Sequence, residues 1–189
     1  PGEGEMQCAQ LVRDKEAWAV GSQDYDSIVV GGDRLIQNLT LSRKRKTRSG
    51  VVYIAPELIE YENVLNGLGL TQDQLISLAI LVGSDFNPGG VKGIGPKKAL
   101  TLVKEKKFPI KIFSGLEEQG KLDFDWRDVF EIFKKPNVKR GMKINFPKLD
   151  FNNVKEILVK RHDFSLERVE KGLGKLGEIK SKSAQRSLF

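Results

Sequence analysis

Residues 83–100 read GSDFNPGGVKGIGPKKAL, a glycine-rich segment that runs into a lysine pair. Upstream, Thr71 and Gln74 have the spacing of a capping box, and the apolar stretch Leu75–Val82 follows. Downstream, Pro96 sits where proline is tolerated, at the first turn of a helix. The order of signals predicts a helix–loop–helix unit over residues 75–106. Within it, Gly93-Ile94-Gly95 lets the backbone come close to a phosphate. The helix that begins at Pro96 offers free N–H groups, with Lys97 and Lys98 beside them. Such a unit suits gripping a duplex backbone without reading bases. The pattern is neither a Walker P-loop nor the dinucleotide fingerprint. Taken alone, G-x-G is an ordinary turn; the surrounding elements give it meaning.

Outward from this loop, the N-terminal side reads as mixed. Residues 5–13 predict a helix, with Met6, Ala9, Gln10 and Arg13 at helical spacing. Ala17–Val20 and Ile28–Val30 read as short buried strands. Leu35–Leu41 and Val51–Ile54 alternate as a hairpin would, joined by the charged SRKRKTRSG and tipped by Gly50. Pro56 is expected to open a helix reaching about Leu65. Toward the C-terminus, helices are expected over Asp125–Lys134, from an Asp150 cap to about Arg161, and from Ser165 to about Leu176. Residues 135–148 are basic and irregular, and 177–189 are a polar, flexible tail. Strands come first and helices later, giving an α/β core followed by helices in one domain, 1–176.

Acidic pairs stand out against a basic background. The chain has 189 residues, a net charge of +7 and a pI near 9.4, which together suggest a polyanionic partner, nucleic acid first. Glu3-x-Glu5 and Asp24-x-Asp26 have the spacing that points two carboxylates to one face of an extended chain, and Asp85 opens the glycine loop. Gathered together, five acids would repel one another strongly unless cations offset the charge. Cys8 and His162 are the single cysteine and single histidine, so a Cys- or His-ligated site is not expected. An ion here would be held by oxygen, which points to Mg²⁺, Mn²⁺ or Ca²⁺, although the EF-hand pattern is absent. Two divalent ions could serve hydrolysis of a phosphodiester. The bland reading of either pair is a set of turn and cap residues on a solvated surface. Arg43–Arg48 and Lys134–Arg140 could touch DNA or be solvated loops. Tyr25, Cys8 and Trp18 are assigned to the core. No apolar run approaches the length of a membrane span.

In that order, GEGE, SQDYDS and LVGSDFNPGGVKGIGPKKAL resemble the 5′-nuclease superfamily, and most closely the archaeal flap endonucleases. HDFSLERVEKGLGKL is similar to the final helices of that family. The resemblance implies a PIN-like core containing part of a central, mainly parallel sheet. It also implies a metal-dependent, structure-specific 5′-flap endonuclease and 5′–3′ exonuclease of DNA replication and repair. Glu3, Glu5, Asp24, Asp26 and Asp85 match the family's catalytic, metal-binding carboxylates, with two Mg²⁺ per site and Mn²⁺ as a substitute. Gly83 matches a position near its scissile phosphate, and the 84–95 loop matches one that binds a monovalent cation such as K⁺ and the duplex phosphates, which makes Gly83, Gly93, Ile94 and Gly95, with the adjoining Lys97 and Lys98, the expected nucleic-acid contacts. 5′-Flap and nicked duplex DNA are the implied partners, with no membrane, in an archaeal cytoplasm or a nucleus. QRSLF resembles the start of a sliding-clamp (PCNA) motif, with Gln185, Leu188 and Phe189 as partner contacts. Nothing here matches the family's N-terminal half or its helical arch, so that half is an expected partner. The alternative is a non-catalytic duplex-binding and clamp-docking module.

Overall fold

The computed structural model describes residues 2–39, 44–48, 50–145 and 148–186, with side chains except at 45 and 180–186. They form two compact units, 1–143 and 144–189.

Helix α1, Gly4–Arg13, buries Met6, Ala9, Gln10 and Val12. Strand β1 is only Val20–Gly21 and pairs in parallel with β2, Arg34–Gln37. The expected hairpin partner of β2 is corrected: β2 pairs antiparallel with β5, Glu57–Glu60, with Leu35 opposite Ile59. The charged run itself folds back, as β3 (Lys44–Thr47) on β4 (Gly50–Tyr53). Alternation marks a strand but does not name its partner. The ribbon is supported by the Lys44 ammonium, 5.3 Å from the Tyr53 ring centre. Helix α3 begins at Tyr61, after β5, and runs to Leu68; it does not start at Pro56.

Ile28–Val30 is not a strand. Asp26–Val29 forms one helical turn, α2, whose Ser27, Ile28 and Val29 are all buried. A short apolar run buried on every side carries no period that separates helix from strand. Among its neighbours is α4, Gln72–Val82, the centre of the first unit, where Ile76, Ile80 and Leu81 are fully buried. The capping box holds: Thr71 Oγ1 accepts from Gln74 N, and Gln74 Oε1 accepts from Thr71 N at 2.9 Å. Around α4 lie α5 (Pro96–Lys106), α6 (Pro109–Glu118) and α7 (Trp126–Lys134, capped by Asp125). Aromatic rings close this side of the core, Phe113 stacking on Trp126 at 4.5 Å and Phe86 meeting Phe133 edge-on at 5.4 Å.

A strap, residues 137–143, lies along α1. Gln7 grips it at both backbone groups of Lys139: its Nε2 donates to the carbonyl at 2.9 Å and its Oε1 accepts from the amide at 2.8 Å. Asp14 accepts from Gly141 N at 2.9 Å, and Lys143 pairs with Glu16.

In the second unit, Asp150 caps α8 (Phe151–Lys155), a π-helical turn spans Glu156–Arg161, and α9 runs from Leu166 to Arg186. The tail expected from residue 177 is therefore helical through Arg186. Past Gly177 the segment holds ordinary helix formers and no proline, so nothing stops it at Leu176. Among the described residues no helix is long and apolar enough to cross a membrane.

Candidate active site

Glu3 is the N-cap of α1. Its carboxylate accepts from Glu5 N at 3.0 Å and Met6 N at 3.2 Å, satisfying two of the helix's free donors. The chain enters this cap through Gly2, where a Cβ would stand 2.2 Å from the Asn137 carbonyl oxygen of the strap. Glu5 lies in the first turn, half-buried. One of its oxygens accepts from Ser22 Oγ, and the other, Oε2, is buried with no hydrogen-bond partner.

Ser22 also accepts from Asp24 N at 3.1 Å, so one hydroxyl joins α1 to the segment after β1. Gln37 of β2 holds the same segment from the other side. Its Nε2 donates to the Gln23 carbonyl at 2.7 Å, and its Oε1 accepts from the Tyr25 hydroxyl at 3.4 Å. Neither Ser22 nor Gln37 stood out in the sequence: a single hydroxyl or amide carries no spacing signal. Asp24 lies in a bend and Asp26 is the first residue of α2, so strand alternation is not what brings the two together.

Asp85 follows the end of α4 in a tightly tied turn. Ser84 Oγ donates to Asn87 Oδ1 at 2.7 Å, and Asn87 Nδ2 donates to the Ile80 carbonyl at 2.7 Å, satisfying a free acceptor at the helix end. Val91 N donates to the Leu81 carbonyl at 3.0 Å, folding the loop back on the helix. At Gly90, with φ +61°, a Cβ would stand 2.4 Å from Val82 C.

The electrostatics show that the five acids share one neighbourhood. Burial first, and then the charges of Asp85, Glu5, Glu3 and Asp24, push the Asp26 carboxyl up from 3.8 to about 6. A helix N-terminus would pull the other way, but four like charges and desolvation outweigh it. Shared field and ligand geometry do not coincide, however. Among the described residues no three His, Cys, Asp or Glu side chains stand ready around one point as an ion's ligands. Glu3 is turned to its own helix and Glu5 to Ser22, as carboxylates that repel one another would be.

In the glycine loop, Gly83 caps α4 with φ +117°, and Gly93 has φ +80° in open space. Gly95 is the N-cap of α5, without a side chain to satisfy that helix end. The Ile94 side chain is buried, so only its backbone can face a ligand. Lys97 and Lys98 are exposed in the first turn of α5, where a cation opposes the helix dipole. Lys98 Nζ reaches back to the Gly93 carbonyl at 3.4 Å.

Three assignments to the core are corrected. Cys8 is exposed, because it falls opposite the Met6, Ala9 and Val12 face of α1. Trp18 is 60% exposed and is covered by the Arg34 guanidinium, 5.1 Å from the ring centre. Tyr25 is 55% exposed, with only its hydroxyl tied down. In the two basic runs, Lys134 pairs with Asp73 and Lys135 with Glu131, while Lys44, Lys46 and Arg48 are exposed. Leu188 and Phe189 lie outside the described residues, and Gln185 is in α9, where side chains are not described.

Residues 1–85 match the XPG I-region family. Flap endonuclease 1 of Aeropyrum pernix is 49% identical over 181 residues, covering 94% of this chain and 51% of the relative. That of Thermofilum pendens is 43% identical over 191 residues, covering 100% of this chain and 55% of the relative. The solved structure of flap endonuclease-1 from Methanococcus jannaschii superposes with a TM-score of 0.79 at 34% identity, covering 96% of this chain and 52% of that one. The chain is similar to flap endonucleases along nearly its whole length. Its fold recurs in the catalytic core of Rad2, solved in complex with DNA substrate, with a TM-score of 0.70 at 22% identity over 93% of this chain and 63% of that one. The chain spans about half the length of the curated proteins it matches.

Proposed function

We propose that this chain carries the metal-site carboxylates and the duplex-gripping loop of a divalent-metal-dependent, structure-specific 5′-flap endonuclease and 5′–3′ exonuclease. The observation that carries the reading is the common field of Glu3, Glu5, Asp24 and Asp85 on Asp26, at the mouth of the glycine loop. The residues fit cations. Glu5 Oε2 is a buried carboxylate oxygen with no hydrogen-bond partner, and burial with four like charges pushes the Asp26 carboxyl up to about 6, a field that cations would relieve. Glu3, Glu5, Asp24, Asp26 and Asp85 are the residues that would hold Mg²⁺ or Mn²⁺. Bound there, such ions supply activation of water and neutralisation of charge on the scissile phosphate.

The protein's own share is positioning. Ser22 and Gln37 fix the Asp24–Asp26 segment, and the 83–95 loop sets the duplex backbone against the acids, with Lys97 and Lys98 offsetting its charge. Carbonyls of the 84–95 loop are the candidate donors for K⁺. Residues beyond this chain supply the rest of the nuclease domain, and Gln185, Leu188 and Phe189 begin a sliding-clamp contact. The setting is genome replication and repair, in the archaeal cytoplasm or in a nucleus.

The test mixes this chain with a polypeptide carrying the other half of a flap endonuclease, a 5′-flap duplex and Mg²⁺. Cleavage is expected, and Asp24→Asn should lower it by roughly 100-fold or more while flap binding changes only a few-fold. No cleavage by the combined halves would reject the nuclease reading and leave a duplex-binding module. Parallel loss of binding in Asp24→Asn would make Asp24 structural.

A further inference from the structure

Helix α5 carries lysines at both ends: Lys97 and Lys98 in its first turn, Lys104 and Lys106 in its last, and Lys107 as its C-cap. The helix dipole favours cations at the C-terminal end, which would account for that group alone. Position along the helix says more. Lys97, Thr101 and Lys104 stand at i, i+4 and i+7, an exposed stripe opposite the buried Ala99 and Val103. The stripe starts beside the Gly93–Gly95 loop and ends at a cavity of about 690 Å³, lined by Lys104, Lys107, Lys134, Asp73, Gln74 and Phe108.

The charges of this cavity are unbalanced. Its one carboxylate, Asp73, is taken by Lys134. Lys104 and Lys107 have no carboxylate partner among the described residues. Lys107 also holds φ +62°, in a three-residue turn where Phe108 N donates to the Lys106 carbonyl at 2.8 Å. A glycine would hold that turn without strain.

We propose that this cavity and the stripe leading to it form a second phosphate-binding site. It takes the sugar–phosphate backbone of a duplex whose first contact is the glycine loop. Seven residues of helix from Lys97 to Lys104 advance about 10.5 Å. That separation exceeds the axial rise of about 3.4 Å between successive phosphates of one strand, so the two contacts fall on different phosphates. Only the identity of the polyanion rests on the nuclease reading.

The test is the salt dependence of duplex binding, followed by fluorescence anisotropy on the full chain. It compares the parent, Lys97→Ala/Lys98→Ala, Lys104→Ala/Lys107→Ala and, as a charge control, Lys160→Ala/Lys171→Ala. Each lost phosphate contact flattens the slope of log K against log salt by about 0.9. The cavity pair is expected to flatten it by about 1.8, as the loop pair does, and the control pair by far less. An unchanged slope in the cavity pair, beside a flattened one in the loop pair, overturns the second site and leaves the nuclease reading standing. If neither pair changes the slope, or the parent binds no duplex, both fall. An equal loss in the control pair would assign the effect to net charge and overturn the site. Parent binding of an octaglutamate peptide that the cavity pair abolishes, with the duplex slope unchanged, would assign the cavity to an acidic protein segment instead.

Discussion

Asp26 shows how one residue records its whole surroundings. Its folded pKa of about 6 lies above the ordinary 3.8, so folding favours its protonated form. Stability from this group is fully present below about pH 4 and is lost as pH rises through 6. In chelator, Asp26→Asn should therefore be more stable than the parent at pH 7, and the difference should vanish near pH 4. Screening at a half-exposed carboxyl keeps the gain to about 1 kcal/mol, or roughly 2–4 °C in melting temperature. Melting curves followed by circular dichroism at both pH values decide it; an equal difference at pH 4 would mean the field on Asp26 is not its cause. Glu3-x-Glu5 and Asp24-x-Asp26 stand out in the sequence as spaced pairs, but the extended geometry that spacing suggested is not the one they adopt. Ser22 and Gln37 were not legible, since what they do depends on partners that sequence does not place beside them.

At the scale of the element, the segment after α4 is where glycine is indispensable. Gly90 combines φ +61° with backbone atoms of Leu81 and Val82 at 2.4–2.5 Å from where a Cβ would stand. Gly93 has φ +80° but open space around it. Gly90→Ala should thus cost about 2–4 kcal/mol and Gly93→Ala about 1 kcal/mol, measured by urea unfolding. Equal costs would mean that dihedral strain, not the close approach to α4, sets the requirement. Local chemistry made such elements readable: the Thr71 box, Pro96, Asp125 and Asp150 each mark a helix start found where expected. Pairing was not readable, because Arg34–Gln37 meets Glu57–Glu60 across an intervening ribbon and no local signal names that partner. Ile28–Val30 failed for a related reason, its burial by neighbouring helices having erased any period.

For the molecule as a whole, the two units differ sharply in what holds them together. Every residue of the main hydrophobic cluster lies in residues 1–143. Among the described residues, the second unit buries only Val169 and Leu173 of its apolar side chains, while Phe151, Phe164, Leu166, Leu176 and Ile179 are exposed. A chain ending at residue 143 should therefore melt cooperatively, with its helices retained, and the isolated segment 144–189 should show little helix in water. Circular dichroism of both pieces checks this; a cooperative melt of 144–189 alone would refute it. The order of an α/β core and later helices was legible as a change in pattern along the chain; the boundary between the units falls inside the basic, irregular stretch 135–148, which carries Pro136, Gly141 and Pro147 but no signal that separates a linker from a packed strap. That boundary follows the strap on α1, whose contacts run from Gly2 beside Asn137 to Glu16 beside Lys143. The amides of Lys139 and Gly141 donate to Gln7 of α1 and to Asp14, its C-cap. The way out of the first unit is thereby tied to its acidic helix, and opening of the strap is expected to speed amide exchange in the first turns of α1, measured by hydrogen exchange.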